Sequence, residues 1–442
     1  MNWKQPREAI GVTGMGVFCA SAHGVEGFDS ALRAGVSTVT FHEPALGLPS
    51  SLGMRARICG DPESVFAERV NDLFPSTDLG VRRKAQTILR RVSHPTGFSL
   101  LAALEAGSEA MTGTIEDRRR IALVVAGENL SRQLSFTMTE KFRKDPSYVS
   151  PRYAYQFWDS ELIGVVSEVM EILGEGTSVS GASASGNLAL LRGMELIRTG
   201  CADTCLVVAG MQELSAVELM AFANLGALGG YRPGADPSAS NRPFDAAHDG
   251  FVLGDGAAAM VLDSPAALAR RGARPLAYLQ GGASALDGHH QTRPSREGEE
   301  FVMREALRRS NVEPRDIDLV SAHATGTPLG DETEAAAIGS VLGAKAEGPW
   351  VNATKSLLGH CLASAGLIEA VACVLQMRGG YAHANANLVR PITEDIRFVS
   401  RQRVPATIHY ALNNSFGFGG INTALVLRSA GPPGAWPHTR RD

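Results

Sequence analysis

The sequence predicts an α/β chain built from two related halves, and three observations carry that expectation. Strand-like apolar runs alternate with segments of helical periodicity along the whole chain. The alternation runs twice, starting at "AIGVTGMGVF" and again near "PLAYLQGGASAL". In each pass a small-residue segment, "GASAS" first and "LLGHCLASAG" later, ends a strand and opens a helix. Two such helix N-termini converging under a pseudo-twofold would place unsatisfied N–H groups and partial positive charge around one site, a setting that favours anions and developing oxyanions.

Taken in order, the first half has a strand at "AIGVTGMGVF", a helix over Phe28 to Ala34, a strand at "IALVVAG", a helix over Asn187 to Thr199 and a strand at "TCLVVAG". Residues Arg132 to Ser160, rich in aromatics and charges, are expected to be irregular. The second half has "PLAYLQGGASAL", an irregular stretch over Asp287 to Gly298, a helix over Glu299 to Ser310, "DIDLVSAHATG", "WVNATKSLLGH" leading into a helix over Cys361 to Met377, then "HYALNNSFGFGG" and "TALVLRS". The expected units are residues 1–265, residues 266–429 and a proline-bearing tail, residues 430–442, without apolar periodicity and expected to be disordered.

Length and composition narrow the function. A chain of 442 residues, 44% hydrophobic and 20% charged, holds a substantial core, and 48 glycines fit many tight turns. The formal charge of −4, from 42 basic and 46 acidic residues, gives no general attraction to nucleic acid or to an anionic membrane. "VRRK" at Val81 to Lys84, with Arg90 and Arg91, is either a local docking patch or a solvated helix face. The six cysteines, Cys19, Cys59, Cys201, Cys205, Cys361 and Cys373, have no metal-ligand spacing and are expected to be reduced and mostly buried. The N-terminus lacks a signal h-region, and no apolar run approaches the roughly 18 residues that a membrane span needs, so a cytoplasmic protein is expected.

Three segments carry chemistry-bearing residues. In "SAHATGTPLGDETE", His323 follows an apolar strand, Thr325 and Thr327 follow at alternate positions, and Pro328, Gly330 and Asp331 form a turn before a helix containing Glu334. "NATKSLLGHCLASAG" places Lys355 five residues before His360, and "NNSFGFGGIN" is a loop able to bend sharply or move. Singly, each has an ordinary structural explanation. In this order, with "NRPFDAAHDGFVLGDGAAAMVLD" between, they resemble the β-ketoacyl synthases of fatty-acid and polyketide biosynthesis over nearly the whole chain.

That resemblance implies the thiolase-like fold, two pseudo-duplicated βαβαβαββ halves in α-β-α-β-α layers, and normally a homodimer. It places the family's cysteine nucleophile at Ser183. Its active-site histidines, which hold a malonyl thioester carbonyl and stabilise the enolate left by decarboxylation, match His323 and His360. Its lysine and acidic partner match Lys355 and Glu334. Thr325 and Thr327 match threonines that hydrogen-bond the phosphopantetheine arm of an acyl carrier protein. Phe418, followed by Gly419, matches a gating aromatic whose N–H joins that of the nucleophile in an oxyanion hole. Ala324 departs from the usual glycine. No metal or intrinsically bound cofactor is implied, the phosphopantetheine arm serving as substrate carrier.

Serine alters which steps survive. A thiol has a reference pKa of about 8.5, whereas an alkoxide is far less accessible, so Ser183 needs a general base to act as nucleophile. Decarboxylation needs no nucleophile, only hydrogen-bond donors aimed at the developing negative charge. The leading expectation is therefore a decarboxylase that turns malonyl-carrier protein into acetyl-carrier protein, resembling the ketosynthase-like proteins of cassettes that install β-branches on polyketides. Two alternatives stay open. Ser183 with a histidine base would make an acyltransferase, hydrolase or condensing enzyme, although Ser185 stands where a G-x-S-x-G elbow has glycine. A non-catalytic chain-length-factor-like partner of a true ketosynthase is the other. Cys361, beside His360, is expected to be structural.

Overall fold

The computed structural model describes residues 9–44, 48–73, 79–111, 117–290, 292–343 and 348–431. The expected tail, from residue 432 on, lies outside them. Ten strands lie side by side in the order Trp350–Asn352, Leu319–Ser321, Tyr410–Gly417, Ile421–Ser429, Ala277–Leu286, Ile10–Cys19, Gly256–Asp263, Thr204–Ala209, Ile121–Ala126 and Gly176–Val179. Counted outward from the middle, each half places its first, fifth, fourth, second and third strands in turn. The halves join through a short antiparallel ladder, Ile10 to Val12 against Leu279 to Ala277.

Helices layer this sheet as the α/β expectation requires. Ser185–Arg198 and Ala365–Gly379 pack against each other and against strands of both halves. His94–Ala110 covers the outer face of the first half, and Arg296–Ser310 with Pro328–Leu342 covers that of the second. Two interior strands of the first half are buried on both faces: Ile121–Ala126 and Thr204–Ala209 have every residue buried, which explains their unbroken apolar runs.

The two central helices meet at glycine. A Cβ on Gly186 would stand 2.5 Å from the backbone nitrogen of Leu367, and one on Gly366 3.0 Å from Asn187 Oδ1. Backbone approach of this kind is open only to residues without a side chain. Asn413 secures the crossing by donating from Nδ2 to Asn187 Oδ1 at 2.9 Å and to the carbonyl of Gly366 at 2.9 Å.

Three expectations need correction. The stretch from Arg132 is not irregular: Arg132–Lys144 is an α-helix, followed by a short turn at Pro146–Tyr148, the helix Tyr153–Gln156 and another helix from Ser160. Its polar composition conceals it, because Met138 is its one fully buried side chain. Pro328, Gly330 and Asp331 are not a turn before a helix but its first turn, with Pro328 at a position where no N–H is needed. An apolar stretch of membrane-spanning length does exist: Leu362–Gly379, 18 residues of mean hydropathy 1.3, is 83% buried inside the protein and forms the central layer. The cysteines are as expected, all free and mostly buried, with Cys59 and Cys201 the two exposed ones.

Candidate active site

Both halves deliver residues to one cavity of about 660 Å³. Ser183, His323 and His360 line it together with Thr325, Thr327, Glu334 and Phe418. Ser183 sits in the tight turn Ala182–Ala184 that joins the strand Gly176–Val179 to the helix Ser185–Arg198. Ala182 adopts φ 49°, a left-handed conformation that lifts the following residue out of the sheet edge. The carbonyl of Ser183 accepts from Ser415 Oγ at 2.9 Å, which ties the turn to the strand Tyr410–Gly417. Close by, a Cβ on Gly417 would overlap the carbonyl of Gly181, so the loop through Phe418 and Gly419 lies directly against the serine turn. Phe418 itself is 42% exposed.

His360 faces Ser183, with Nε2 2.9 Å from Oγ. The other ring nitrogen, Nδ1, accepts the backbone N–H of Leu362 at 3.3 Å. A neutral imidazole that accepts at Nδ1 carries its proton at Nε2, so His360 donates to Ser183 and has no lone pair free to take the serine proton. His323 is set the same way. Lys355 Nζ spends its three donors on Glu369 Oε1 at 2.5 Å, on the carbonyl of His323 at 2.5 Å and toward His323 Nδ1 at 3.5 Å. The proton of His323 is thereby directed to Nε2.

The two rings stand 5.7 Å apart and nearly perpendicular, and each meets a phenylalanine, Phe416 tilted against His323 and Phe251 edge-on to His360. Burial holds both imidazoles well below the usual histidine range, and the nearby Lys355 charge pushes in the same direction. Both are neutral at physiological pH. The arrangement is thus a pair of neutral N–H donors around one cavity.

The acidic partner differs from the expected one. Lys355 is paired with Glu369, both within 2% of full burial, not with Glu334. Glu334 instead receives the backbone N–H of His323 at 2.8 Å, that of Ala324 at 2.7 Å and Asn414 Nδ2 at 3.1 Å. It fixes the strand end that presents His323. Burial raises both carboxyls to about 7, against the pull of these donors on Glu334 and of Lys355 on Glu369. Ala324, where the family resemblance leads one to expect glycine, is buried at φ 30°, a strained position for a residue with a Cβ.

Thr325 Oγ1 and Thr327 Oγ1 lie 3.0 Å apart on the cavity wall. Asp331, expected from the sequence only as a turn former, holds their turn by accepting from Gly326 N at 3.0 Å, Phe244 N at 2.7 Å and His248 Nδ1 at 3.2 Å. Glu369 was missed from the sequence, its one signal there being that of a lone acid in the otherwise apolar run "LIEAVACVL". Cys361 is 2% exposed and its thiol is pushed well up by burial, which makes it inert as a nucleophile. Among the described residues no group of three or more His, Cys, Asp or Glu is arranged to hold a metal.

An α/β duplication with a serine turn and two histidines at the seam defines an acyl-thioester enzyme of the thiolase-like class. The chain belongs to the β-ketoacyl synthase family: the N-terminal domain of that family matches residues 7–266 and the C-terminal domain residues 276–389. It is 34% identical over 95% of its length, and 96% of the relative's, to "Polyketide biosynthesis malonyl-ACP decarboxylase PksF" of Bacillus subtilis (strain 168). It is 28% identical over 97% of its length, and 88% of the relative's, to "3-oxoacyl-[acyl-carrier-protein] synthase I, chloroplastic" of Arabidopsis thaliana. Among solved structures, "The ishigamide ketosynthase/chain length factor" superposes with a TM-score of 0.82 at 27% identity, covering 96% of this chain and 100% of that one. A type II polyketide synthase carrier protein in complex with its ketosynthase, AntDE:AntF, gives a TM-score of 0.81 at 27% identity, with 96% and 100% covered.

Proposed function

We propose that this protein decarboxylates malonyl attached to an acyl carrier protein, releasing acetyl-carrier protein for polyketide β-branching without condensing it. The observation that carries the proposal is the proton placement on the two histidines. With Nε2–H on both His323 and His360, two neutral donors are available to a thioester oxygen as the C–CO₂ bond breaks and charge moves onto that oxygen. The same placement leaves Ser183 without a base, so the acyl-transfer alternative lacks its first step.

In the proposed reaction the phosphopantetheine arm enters past Thr325 and Thr327 and the thioester oxygen settles between the imidazoles. The aromatic walls contributed by Phe251, Phe416 and Phe222 favour loss of the malonyl carboxylate as neutral carbon dioxide. Lys355 acts through His323, holding its tautomer and ring, and Glu334 acts through the backbone of the same residue. Phe418 and Gly419 form the movable wall over the serine turn. The relative named as a malonyl-ACP decarboxylase supports this reading.

A homodimer working with carrier-protein and polyketide synthase partners in the cytoplasm, with neither nucleic acid nor membrane involved, completes the proposal. The free sheet edge of the serine-bearing half is Gly176–Val179, with an exposed and half-buried alternation, and it leads straight into the Ser183 turn. Pairing of two such edges would close both. Thr204–Ala209 is interior, paired on both sides. The basic helix Leu79–Leu89 is a weaker docking candidate than its sequence suggests, since Lys84 is paired with Glu171, and beyond its end Arg90 is paired with Glu63.

The test is acylation. Malonyl-carrier protein incubated with the enzyme should appear as acetyl-carrier protein by intact mass spectrometry, with no acyl adduct on the protein. An adduct that vanishes in Ser183→Ala would establish acyl transfer instead. Activity found only in a co-purifying ketosynthase would establish the non-catalytic partner.

A further inference from the structure

Loss of carbon dioxide leaves an enolate, and in a non-condensing enzyme that carbon has to receive a proton. The histidines are poorly suited to give it, because a neutral imidazole that surrendered Nε2–H would become an imidazolate; their N–H groups stabilise the enolate oxygen and stay protonated. What is needed is an acid whose proton is available near neutrality.

Five carboxyls sit in or against the site. Glu369 also has an unpartnered Oε2, but it is tied to the Lys355 ammonium through Oε1 and does not line the cavity, and Glu334 accepts three N–H groups. Asp287 accepts from Asn422 Nδ2 at 2.6 Å, and Glu128 accepts from Ser180 Oγ. Glu299 is different. It lies in the first turns of the helix Arg296–Ser310, lines the same cavity as Ser183 and both histidines, is 1% exposed, and has a buried Oε2 with no hydrogen-bond partner. Among the described residues no cation is paired with it; its charged neighbours are Glu334 and Asp331 from the facing helix and Asp287 from the end of the strand Ala277–Leu286. A carboxylate surrounded in this way is unstable and the neutral acid is the form that persists. A buried acid without a partner is an expensive feature to keep unless it has a job.

We propose that Glu299 is the protonated acid that supplies, through water in the cavity, the proton received by the enolate carbon. This inference rests on the decarboxylase reading. The balance is simple: the Cα–carboxylate bond breaks and its electron pair forms the enolate, carbon dioxide leaves, and Cα takes a proton from a cavity water. That water takes the proton of Glu299, and the resulting carboxylate is reprotonated from solvent past Thr292, an exposed residue of the cavity lining. Burial drives the last step, since it pushes the Glu299 carboxyl well above its ordinary range, with the three acidic neighbours adding to it.

The experiment compares wild type with Glu299→Gln, which keeps the size and the neutrality of the acid and so should fold. Malonyl-carrier protein is supplied in buffer equilibrated with ¹³C-labelled carbon dioxide, and both acetyl formation and label in the remaining malonyl group are read on the phosphopantetheine fragment. Wild type should form acetyl with no label returned. In Glu299→Gln, acetyl formation should fall by about 10²-fold, the lower range for a general acid, and the longer-lived enolate should recapture labelled carbon dioxide into malonyl. Acetyl formation within about twofold of wild type, or a slowed reaction with no label in malonyl, would overturn the assignment. If wild type forms no acetyl at all, the decarboxylase reading fails and this assignment fails with it, an outcome seen in the wild-type arm alone.

Discussion

The turn bearing Ser183 and the matching turn in the second half, residues 361–366, are one piece of backbone used twice with different tips. Each passes through a left-handed residue, Ala182 at φ 49° and Leu362 at φ 54°, then a single tight helical turn and a long central helix. The helices touch through Gly186 and Gly366. In the first turn the tip is Ser183, half-buried and bonded to His360; in the second it is Ala363, 2% exposed and without a polar atom. The backbone therefore supplies position alone. Chemistry comes from what is placed around it, and the second half contributes that through His323, Lys355 and His360.

The strongest way to break the comparison is to remove the Lys355–Glu369 ion pair, buried more completely than any pair among the described residues of the first half. Lys355→Met leaves Glu369 unpaired in the core and should cost about 3–5 kcal/mol, seen as a lower thermal midpoint. Adding Glu369→Leu should recover much of that loss, since two apolar groups replace the pair. His323→Ala removes one of the two N–H donors and should lower the decarboxylation rate by about 10²–10³, measured as acetyl-carrier protein formed per minute, with the fold intact by circular dichroism.

Next comes the contact between the turns. Gly186→Ala forces a Cβ onto the backbone of Leu367 and should destabilise by about 1–3 kcal/mol. Gly164→Ala, in the helix Ser160–Met170 with nothing within 4 Å, should instead stabilise by up to about 1 kcal/mol. Denaturant midpoints of the two variants read the contrast directly.

pH sharpens the comparison in another way. Both histidines are held below the unfolded value of 6.5 by burial, so the unfolded chain binds protons that the folded one refuses. Their contribution to stability is present above about 6.5 and is lost as pH falls toward their folded values. Activity, which needs the neutral rings, should persist through pH 6 and fail only at lower pH. His323→Gln should flatten part of the stability change over that window in a series of chemical melts.

Much of this was visible in the sequence because the residues concerned occupy special backbone positions. Ser183 and His323 each follow the end of a strand and His360 follows the short helix Lys355–Leu358, where "GASAS", "SAHATG" and "LLGHC" break an apolar run, and such breaks survive in one dimension. The ion-pair partner did not: Glu369 is fourteen residues from Lys355 and pairs with it only because the helix Ala365–Gly379 folds back against the turn, whereas Glu334 is nearer to the histidine in sequence. The helix Arg132–Lys144 was hidden for a related reason, since a helix on the rim buries too little to print a periodicity. The unpartnered carboxyl of Glu299 is likewise a property of what surrounds it in space.

The claim that Ser183 is not the nucleophile, and that the neutral histidines drive the loss of carbon dioxide, is tested most directly by malonyl-carrier protein mixed with wild type, Ser183→Ala and His323→Ala under one set of conditions and read by intact mass spectrometry. The account predicts acetyl-carrier protein from wild type, largely the same from Ser183→Ala, and a rate reduced by about 10²–10³ in His323→Ala. An acyl adduct on the wild-type enzyme that disappears with Ser183, or a Ser183→Ala variant as inactive as His323→Ala, would contradict it.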